Sequence, residues 1–389
     1  MTDKLLKKYE YGIYRCVRCG VCRAKYTENV RRVCPSREFT GGFEQHFARG
    51  RIAIARGLLE GEIDYSPELA ESIGSCTTCG NCTQQCSIVN EETGEFIVDV
   101  VKFIEAMRAD LADRDMLMDK QKVLVTRVEE HRNPYGEPIP KRLDWAKELE
   151  IPNKASIMFF VGCTSSFRRQ EIAQATAKVL KKIGVEFGVS GEEWCCGSPL
   201  LRTGSRRIVE KLIEKNVSAL GSVESVITSC PGCYKTLKED YPEFLGDMPF
   251  EVLHISEFLA GMLDKGEMDF KKPQNLVVTY HDPCHLGRHL KVYEEPRKLL
   301  RSIPGINFVE MDATKENAFC CGAGGGVKIT FPEVALGSAE YRLTQANEVG
   351  AELIVSVCPF CKTNIQDAIE KKENTIKFAD LMELLDSAL

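Results

Sequence analysis

The sequence predicts a mixed α+β and α/β chain. A mainly helical, cysteine-rich N-terminal part comes first, and a duplicated α/β part with mostly parallel strands follows. Three observations carry this expectation. From about residue 155, short β-rich runs alternate with amphipathic helical stretches. The pattern occurs twice in register, since Cys163, Cys195 and Cys230 recur as Cys284, Cys320 and Cys358 at offsets of 121, 125 and 128. Ahead of it lie two tight cysteine runs with a helical stretch between them. The expected boundaries are 1–108, a connector over 109–154, a first half over 155–270 and a second over 271–389.

Composition narrows the class. The chain has 389 residues, 43% hydrophobic and 28% charged, as an ordinary globular protein does. A net charge of −6 argues against wholesale nucleic-acid binding. No apolar run approaches the ~18 residues of a membrane span, and "MTDKLLKKYEYG" lacks the apolar core of a signal peptide. The expected location is therefore the cytoplasm, or the inner face of the membrane through a partner subunit. Eighteen cysteines in a long chain of a reducing compartment point to metal ligation before disulfides.

The first run is Cys16, Cys19, Cys22 and Cys34 in "CVRCGVCRAKYTENVRRVCP"; the second is Cys76, Cys79, Cys82 and Cys86 in "CTTCGNCTQQC". C-x-x-C-x-x-C with a distant fourth cysteine is the spacing of ferredoxin-type [4Fe–4S] sites. One tight loop grips three corners of a cube and the other run gives the fourth. The expected sets are Cys16, Cys19, Cys22 and Cys86, and Cys76, Cys79, Cys82 and Cys34. Gly20 and Gly80 free each loop from Cβ clashes. Two departures stand out: eleven residues separate Cys22 from Cys34, and Ser87 stands where proline commonly follows the last cysteine. Between the runs, "FARGRIAIARGLLEGEI" reads as a helix packed on the clusters. Arg15, Arg18, Arg23, Lys25, Arg31, Arg32 and Arg37 form either a solvated face that offsets cluster charge or a docking patch for an acidic electron donor.

In the connector, "ADLADRDMLMDKQKVLVTRVEEH" reads as one helix with mixed surface charge. "NPYGEPIP" breaks it, and Trp145 is expected to be buried.

The first half contains "IMFFVGCTSS", "GVEFGV", "EEWCCGSP" and "SVITSCPGC"; the second contains "LVVTYHDPCH", "INFVEM", "AFCCGAGGG" and "LIVSVCPFC". Each cysteine group falls where a strand ends and a helix begins. In open, Rossmann-like sheets that edge is where ligands bind. One half supplies Cys163, Cys195, Cys196, Cys230 and Cys233, the other Cys284, Cys320, Cys321, Cys358 and Cys361. Five thiolates exceed what a cubic cluster or one zinc can take. Eight cysteines in the first block and ten here account for all eighteen.

The duplicated C…CCG…C-x-x-C pattern, with "HDPCHLGR" opening its second copy, resembles the cysteine-rich CCG domains of the heterodisulfide reductase catalytic subunit. The fused N-terminal module resembles the membrane-associated type of that enzyme. Related fusions are iron–sulfur subunits of glycolate or lactate oxidases and of benzoyl-CoA reductases. The resemblance implies two cubane [4Fe–4S] clusters feeding two noncubane [4Fe–4S] clusters that split a disulfide, such as the coenzyme M–coenzyme B heterodisulfide. It also implies redox partners: a flavoprotein, a cytochrome b or a ferredoxin-like donor. The alternative it allows is a non-catalytic electron carrier within a larger anaerobic complex. His285, beside Cys284, is the candidate proton donor, with His281 and His289 as substitutes. Arg288 is the candidate anion-binding group, against a solvent-facing role.

Three other readings compete. "CPGC" and "CPFC" alone would suggest a dithiol oxidoreductase, but they recur in step with the Cys-Cys pairs. Zinc held by four cysteines of one half is a minor alternative. "CGAGGG" lacks the register of a nucleotide loop.

Overall fold

A computed structural model describes residues 4–23 and 32–389. Lys25 and Arg31 of the basic run lie outside the described residues. The chain divides into two compact units. The smaller comprises Met1–Val125, Pro199–Arg207 and Asp312–Gln345; the larger comprises Thr126–Ser198, Ile208–Met311 and Ala346–Leu389.

The smaller unit is helical. The stretch between the cysteine runs forms a helix over Ala48–Glu60, closed by Gly61 at φ +71. Its apolar face joins a core containing Ile13, Ile52, Ile73, Phe103, Ile104 and Met107, and Cys16, Cys22, Cys76, Cys82 and Cys86 pack against that core. The connector expected as one helix is two, Val100–Asp113 and Asp119–His131. The break has a local cause: Asp115 takes a left-handed φ of +57, where a non-glycine residue ends a helix. Met118 N–H is then capped by Gln121 Oε1 at 3.2 Å.

Both sheets belong to the larger unit. The first orders β1 (Ile157–Phe159), β2 (Ser225–Thr228) and β3 (Glu251–His254) as β1-β2-β3, all parallel. The second contains β4 (Leu276–Tyr280), β5 (Ile306–Phe308), β6 (Leu353–Ser356) and β7 (Lys377–Asp380). Its order is β5-β4-β6-β7, again parallel. The central strands β2 and β6 are buried along their whole length, which is why "SVIT" and "LIVS" are apolar without alternation. "GVEFGV", expected as a strand, makes one bridge, Gly188 to Met158. A Cβ at Gly188 would lie 2.8 Å from Met158 Sδ, so this edge approaches β1 only at a residue without a side chain.

The halves exchange helices. In each, the second helix after the first strand packs on the last helix of the other: Gln170–Lys182 on Leu381–Ala388, and Glu294–Ser302 on Ile255–Asp264. Lys182 pairs with Asp386 at 2.9 Å, and Lys298 pairs with Asp264. This reciprocal contact is what a pseudo-two-fold axis between duplicated halves produces. The break after the connector's helix Asp119–His131 is built by Asn133. Its amide donates to the carbonyls of His131 and Glu137, both at 2.8 Å, and accepts from the N–H groups of Tyr135 and Glu137. Trp145 is buried edge-on against Phe159, with ring centroids 6.2 Å apart.

Candidate iron–sulfur centres

The cysteine runs of the smaller unit interleave. Cys86 lies within electrostatic reach of Cys16 and Cys19, and Cys34 within reach of Cys76 and Cys79. Burial drives the Cys22 thiol up to about 12 and Cys34 to about 11, with neighbouring thiolates adding to both. Such crowding of thiols is unfavourable unless a cation neutralises it. Gly20 and Gly80 take φ values of +83 and +73, so both loops turn through conformations that side chains resist. Beneath them, buried Arg51 donates to Ser36 Oγ, Ser75 Oγ and the Ser72 carbonyl at 2.7–2.9 Å. Its charge lowers the Cys34 thiol, against burial.

Of the basic run, Arg15, Arg18 and Arg23 are exposed around Cys19, itself exposed. Arg32 and Arg37 are engaged with Glu38, at 3.5 and 2.6 Å.

In the larger unit, the five sulfurs of the first half touch in series. Cys163 meets Cys195, Cys195 meets Cys196, Cys196 meets Cys233 and Cys233 meets Cys230. All five residues are buried. Hydrogen bonds from Cys195 and Cys233 hold the Cys196 thiol down at about 6, and one from Cys233 lowers Cys230. The donors Cys163 and Cys233 are raised. The adjacent pair thus meets no geometric obstacle: each sulfur faces a different partner.

Local sequence explains the placement. The N–H of Gly197 donates to Cys195 Sγ at 3.5 Å, with Gly197 at φ +91. Gly322 repeats this in the second half, 3.3 Å from Cys320 Sγ at φ +94. The glycine after each pair therefore turns the backbone amide back onto the first sulfur. Cys230 and Cys358 precede Pro231 and Pro359, the first residues of helices. Proline there sacrifices no hydrogen bond, and the helix N-terminus favours a thiolate.

Three residues that sequence reading gave no role complete the first site. Glu193 accepts from Val161 N–H at 2.8 Å, Gly162 N–H at 3.0 Å and Arg142 Nη1 at 2.7 Å. Arg142 Nη2 lies 3.3 Å from Cys163 Sγ. Tyr135 hydrogen-bonds Thr164 at 2.9 Å. Glu193 stood two residues before Cys195, and that adjacency was the one available signal; Arg142 and Tyr135 lie in the connector, outside the repeat.

Of the second set, Cys284, Cys358 and Cys361 belong to the larger unit, and Cys320 and Cys321 to the smaller. Cys284 Sγ lies 3.3 Å from His285 Nδ1, and the His285 ring stacks on His289 at 4.7 Å. His281 is buried at the end of β4. Arg288 is buried too, which removes the solvent-facing role weighed for it.

The donor set of the first half fits an iron–sulfur group. Five buried sulfurs in serial contact exceed a tetrahedral zinc shell, and Gly162 at φ +74 leaves no room for a Cβ, which would lie 2.9 Å from Cys233 Sγ. The described residues contain no helix long and apolar enough to cross a membrane.

Comparison with known proteins gives the class first. The family described as "4Fe-4S dicluster domain" matches residues 12–88, and "Cysteine-rich domain" (CCG) matches 157–238 and 278–366. The chain is an iron–sulfur oxidoreductase. It is 38% identical to the D-subunit of the dihydromethanophenazine:CoB–CoM heterodisulfide reductase of Methanosarcina barkeri, over 96% of this chain and 93% of that one. The chain belongs to the family of that heterodisulfide reductase D-subunit. It is also 38% identical to the B-subunit of the fumarate reductase (CoM/CoB) of Methanothermobacter marburgensis, over 82% of this chain and 62% of the relative. The EtfAB:quinone oxidoreductase of Syntrophomonas wolfei is 31% identical over 85% of this chain and 48% of the relative.

Proposed function

We propose that this protein reductively cleaves a small-molecule disulfide, R–S–S–R′ + 2e⁻ + 2H⁺ giving RSH and R′SH, as one component of a larger complex. The observation that carries the reading is the buried series of five touching sulfurs, Cys163–Cys195–Cys196–Cys233–Cys230. In this reading Cys16, Cys19, Cys22 and Cys86 hold one cubane [4Fe–4S] cluster, and Cys76, Cys79, Cys82 and Cys34 a second. The two five-cysteine sets each hold a noncubane cluster. When bound, these groups would supply the two electrons, one at a time, and Lewis-acidic iron for thiolate sulfur.

The chain's own residues do the rest. Burial around the first set excludes water, and the Gly197 and Gly322 amides fix the leading sulfur of each pair. His285, within reach of Cys284, is the proton donor to a departing thiolate, and buried Arg288 the group that receives an anionic substituent. Exposed Arg15, Arg18 and Arg23 around Cys19 are where an acidic electron donor docks, and that donor protein attaches the chain to the inner face of the membrane.

The test is thiol release from coenzyme M–coenzyme B heterodisulfide by fully loaded protein with reduced viologen. Turnover supports the reading. The names of the fumarate reductase and quinone oxidoreductase relatives favour a second one, in which the chain only relays electrons. No thiol release, with all clusters reducible, selects the relay.

A further inference from the structure

We propose that Arg142, anchored by Glu193, is a positioning residue that fixes the Cys163 thiolate and raises the reduction potential of the group held by the first half. The inference rests on the reading that the first five cysteines hold an iron–sulfur group.

Arg142 comes from the 3₁₀ helix Ile139–Ala146, which precedes the duplicated region. Its side chain and that of Glu193 are each 3% exposed. A buried ion pair is a poor source of stability compared with apolar residues of the same volume, so its presence here calls for a use. The pair is oriented. Both Glu193 oxygens are occupied on the backbone side, by Val161 N–H and Gly162 N–H. The guanidinium, anchored at 2.7 Å, turns its other nitrogen to Cys163 Sγ at 3.3 Å. The positive end of the pair therefore meets the sulfur, and the negative end is screened by two amide dipoles. Arginine carries its charge at every working pH and presents a planar fork that spans both partners.

The device stands outside what was duplicated. The offset that aligns the Cys-Cys pairs puts Ala318 where Glu193 stands, and aligning the first cysteines puts His285 where Thr164 stands. Arg142 itself precedes the first copy, so the pair is an addition to the repeat and not a part of it. A fixed cation on a ligand sulfur favours the state with one more electron, since reduction adds negative charge to the group.

The experiment is an EPR-monitored redox titration of the loaded full chain with dithionite as the one-electron reductant. The first-half signal is the one missing from a Cys195→Ala/Cys196→Ala variant. Arg142→Gln is expected to lower its reduction equilibrium constant about tenfold, which is about 59 mV for one electron. Glu193→Gln leaves the cation uncompensated and is expected to move the midpoint the opposite way. A merely structural role would not produce opposite signs. An unmoved midpoint in Arg142→Gln with iron content intact overturns the proposal, as do shifts of the same sign in both variants. Should Arg142→Gln load no iron, Glu193→Gln decides: an upward shift supports the proposal, and a downward or absent one overturns it. A wild-type protein with no signal assignable to Cys195 and Cys196 refutes the iron–sulfur reading instead.

Discussion

The two halves of the duplicated region reach their first cysteine along different backbones. Gly162 precedes Cys163 at φ +74, a conformation closed to proline, yet Pro283 precedes Cys284. Ahead of the Cys-Cys pairs stand Glu193 in one half and Ala318 in the other. After the C-P-x-C motifs, the first half makes a short helix, Pro231–Lys235, that widens into a π-turn over Thr236–Asp240. The second makes an uninterrupted helix, Pro359–Lys372. What stays the same is the parallel sheet, the glycine turned onto the pair and the proline-started helix. Duplication has kept what aims the sulfurs and varied what surrounds them.

The largest expected effect tests what is common. Cys195→Ala with Cys196→Ala should remove about four iron atoms per chain, and Cys320→Ala with Cys321→Ala the same number. Iron and labile sulfide measured on one sample check both. A loss confined to one pair would break the equivalence of the two sets, and zinc appearing in either would redefine that half.

Next comes the packing of the second half. Arg297 holds Asp282 with two hydrogen bonds at 2.7 and 2.9 Å and Glu310 with two at 2.6 and 3.1 Å. Arg297→Met should destabilise the protein by about 3–5 kcal/mol, because buried Asp282 loses this countercharge. The midpoint of urea unfolding reads it.

A smaller cost is expected at Gly162. Gly162→Ala combines a strained φ with a Cβ 2.9 Å from Cys233 Sγ and should cost about 1–3 kcal/mol and reduce iron loading. Gly221→Ala, also at positive φ but with open space around it, should lose stability without losing iron. Equal iron retention in both would mean that the sulfur contact at Gly162 has no consequence for metal binding.

The smallest effect separates the residues that begin the last helix of each half. His254 and Asp380 are fully buried helix caps in corresponding positions. Burial pushes His254 down to about 3 and Asp380 up to about 8. With its folded value above the unfolded one, Asp380 contributes stability that is complete below about pH 4 and lost as pH rises to 8. Asp380→Asn should flatten the fall in thermal midpoint between pH 6 and 8, a slope of at most about 1.4 kcal/mol per pH unit. An unchanged slope would place the pH dependence elsewhere.

Much of this architecture was legible in the residues, for reasons that also mark where legibility stopped. Cysteine spacing is a strong signal because ligation fixes geometry, and the apolar runs at β2 and β6 betray buried parallel strands. The closing strands β3 and β7 went unread, since "EVLH" and "KFAD" are short and mix charge with apolar residues. The connector's break at Asp115 gave no glycine or proline to announce it. Arg51, Arg108 and Arg142 drew no assignment from the sequence, because an arginine's burial depends on carbonyls and carboxylates that only tertiary structure delivers. Glu193 sat in plain view beside the pair, but its partners Val161 and Gly162 lie some thirty residues away.

Arg108 shows how little the chain respects its own modular appearance. Within the smaller unit its guanidinium gathers the carbonyls of Ile73, Gly74 and Cys76, at the entry to the second cysteine run, and of Arg202 and Gly325, from the stretches after each Cys-Cys pair. One side chain thus fastens three distant passages of sequence. A gene cut after the ferredoxin-like portion would not release two independent proteins: the N-terminal product would lack pieces of its own interior, and the C-terminal product would carry two orphaned strips with nothing to clasp them.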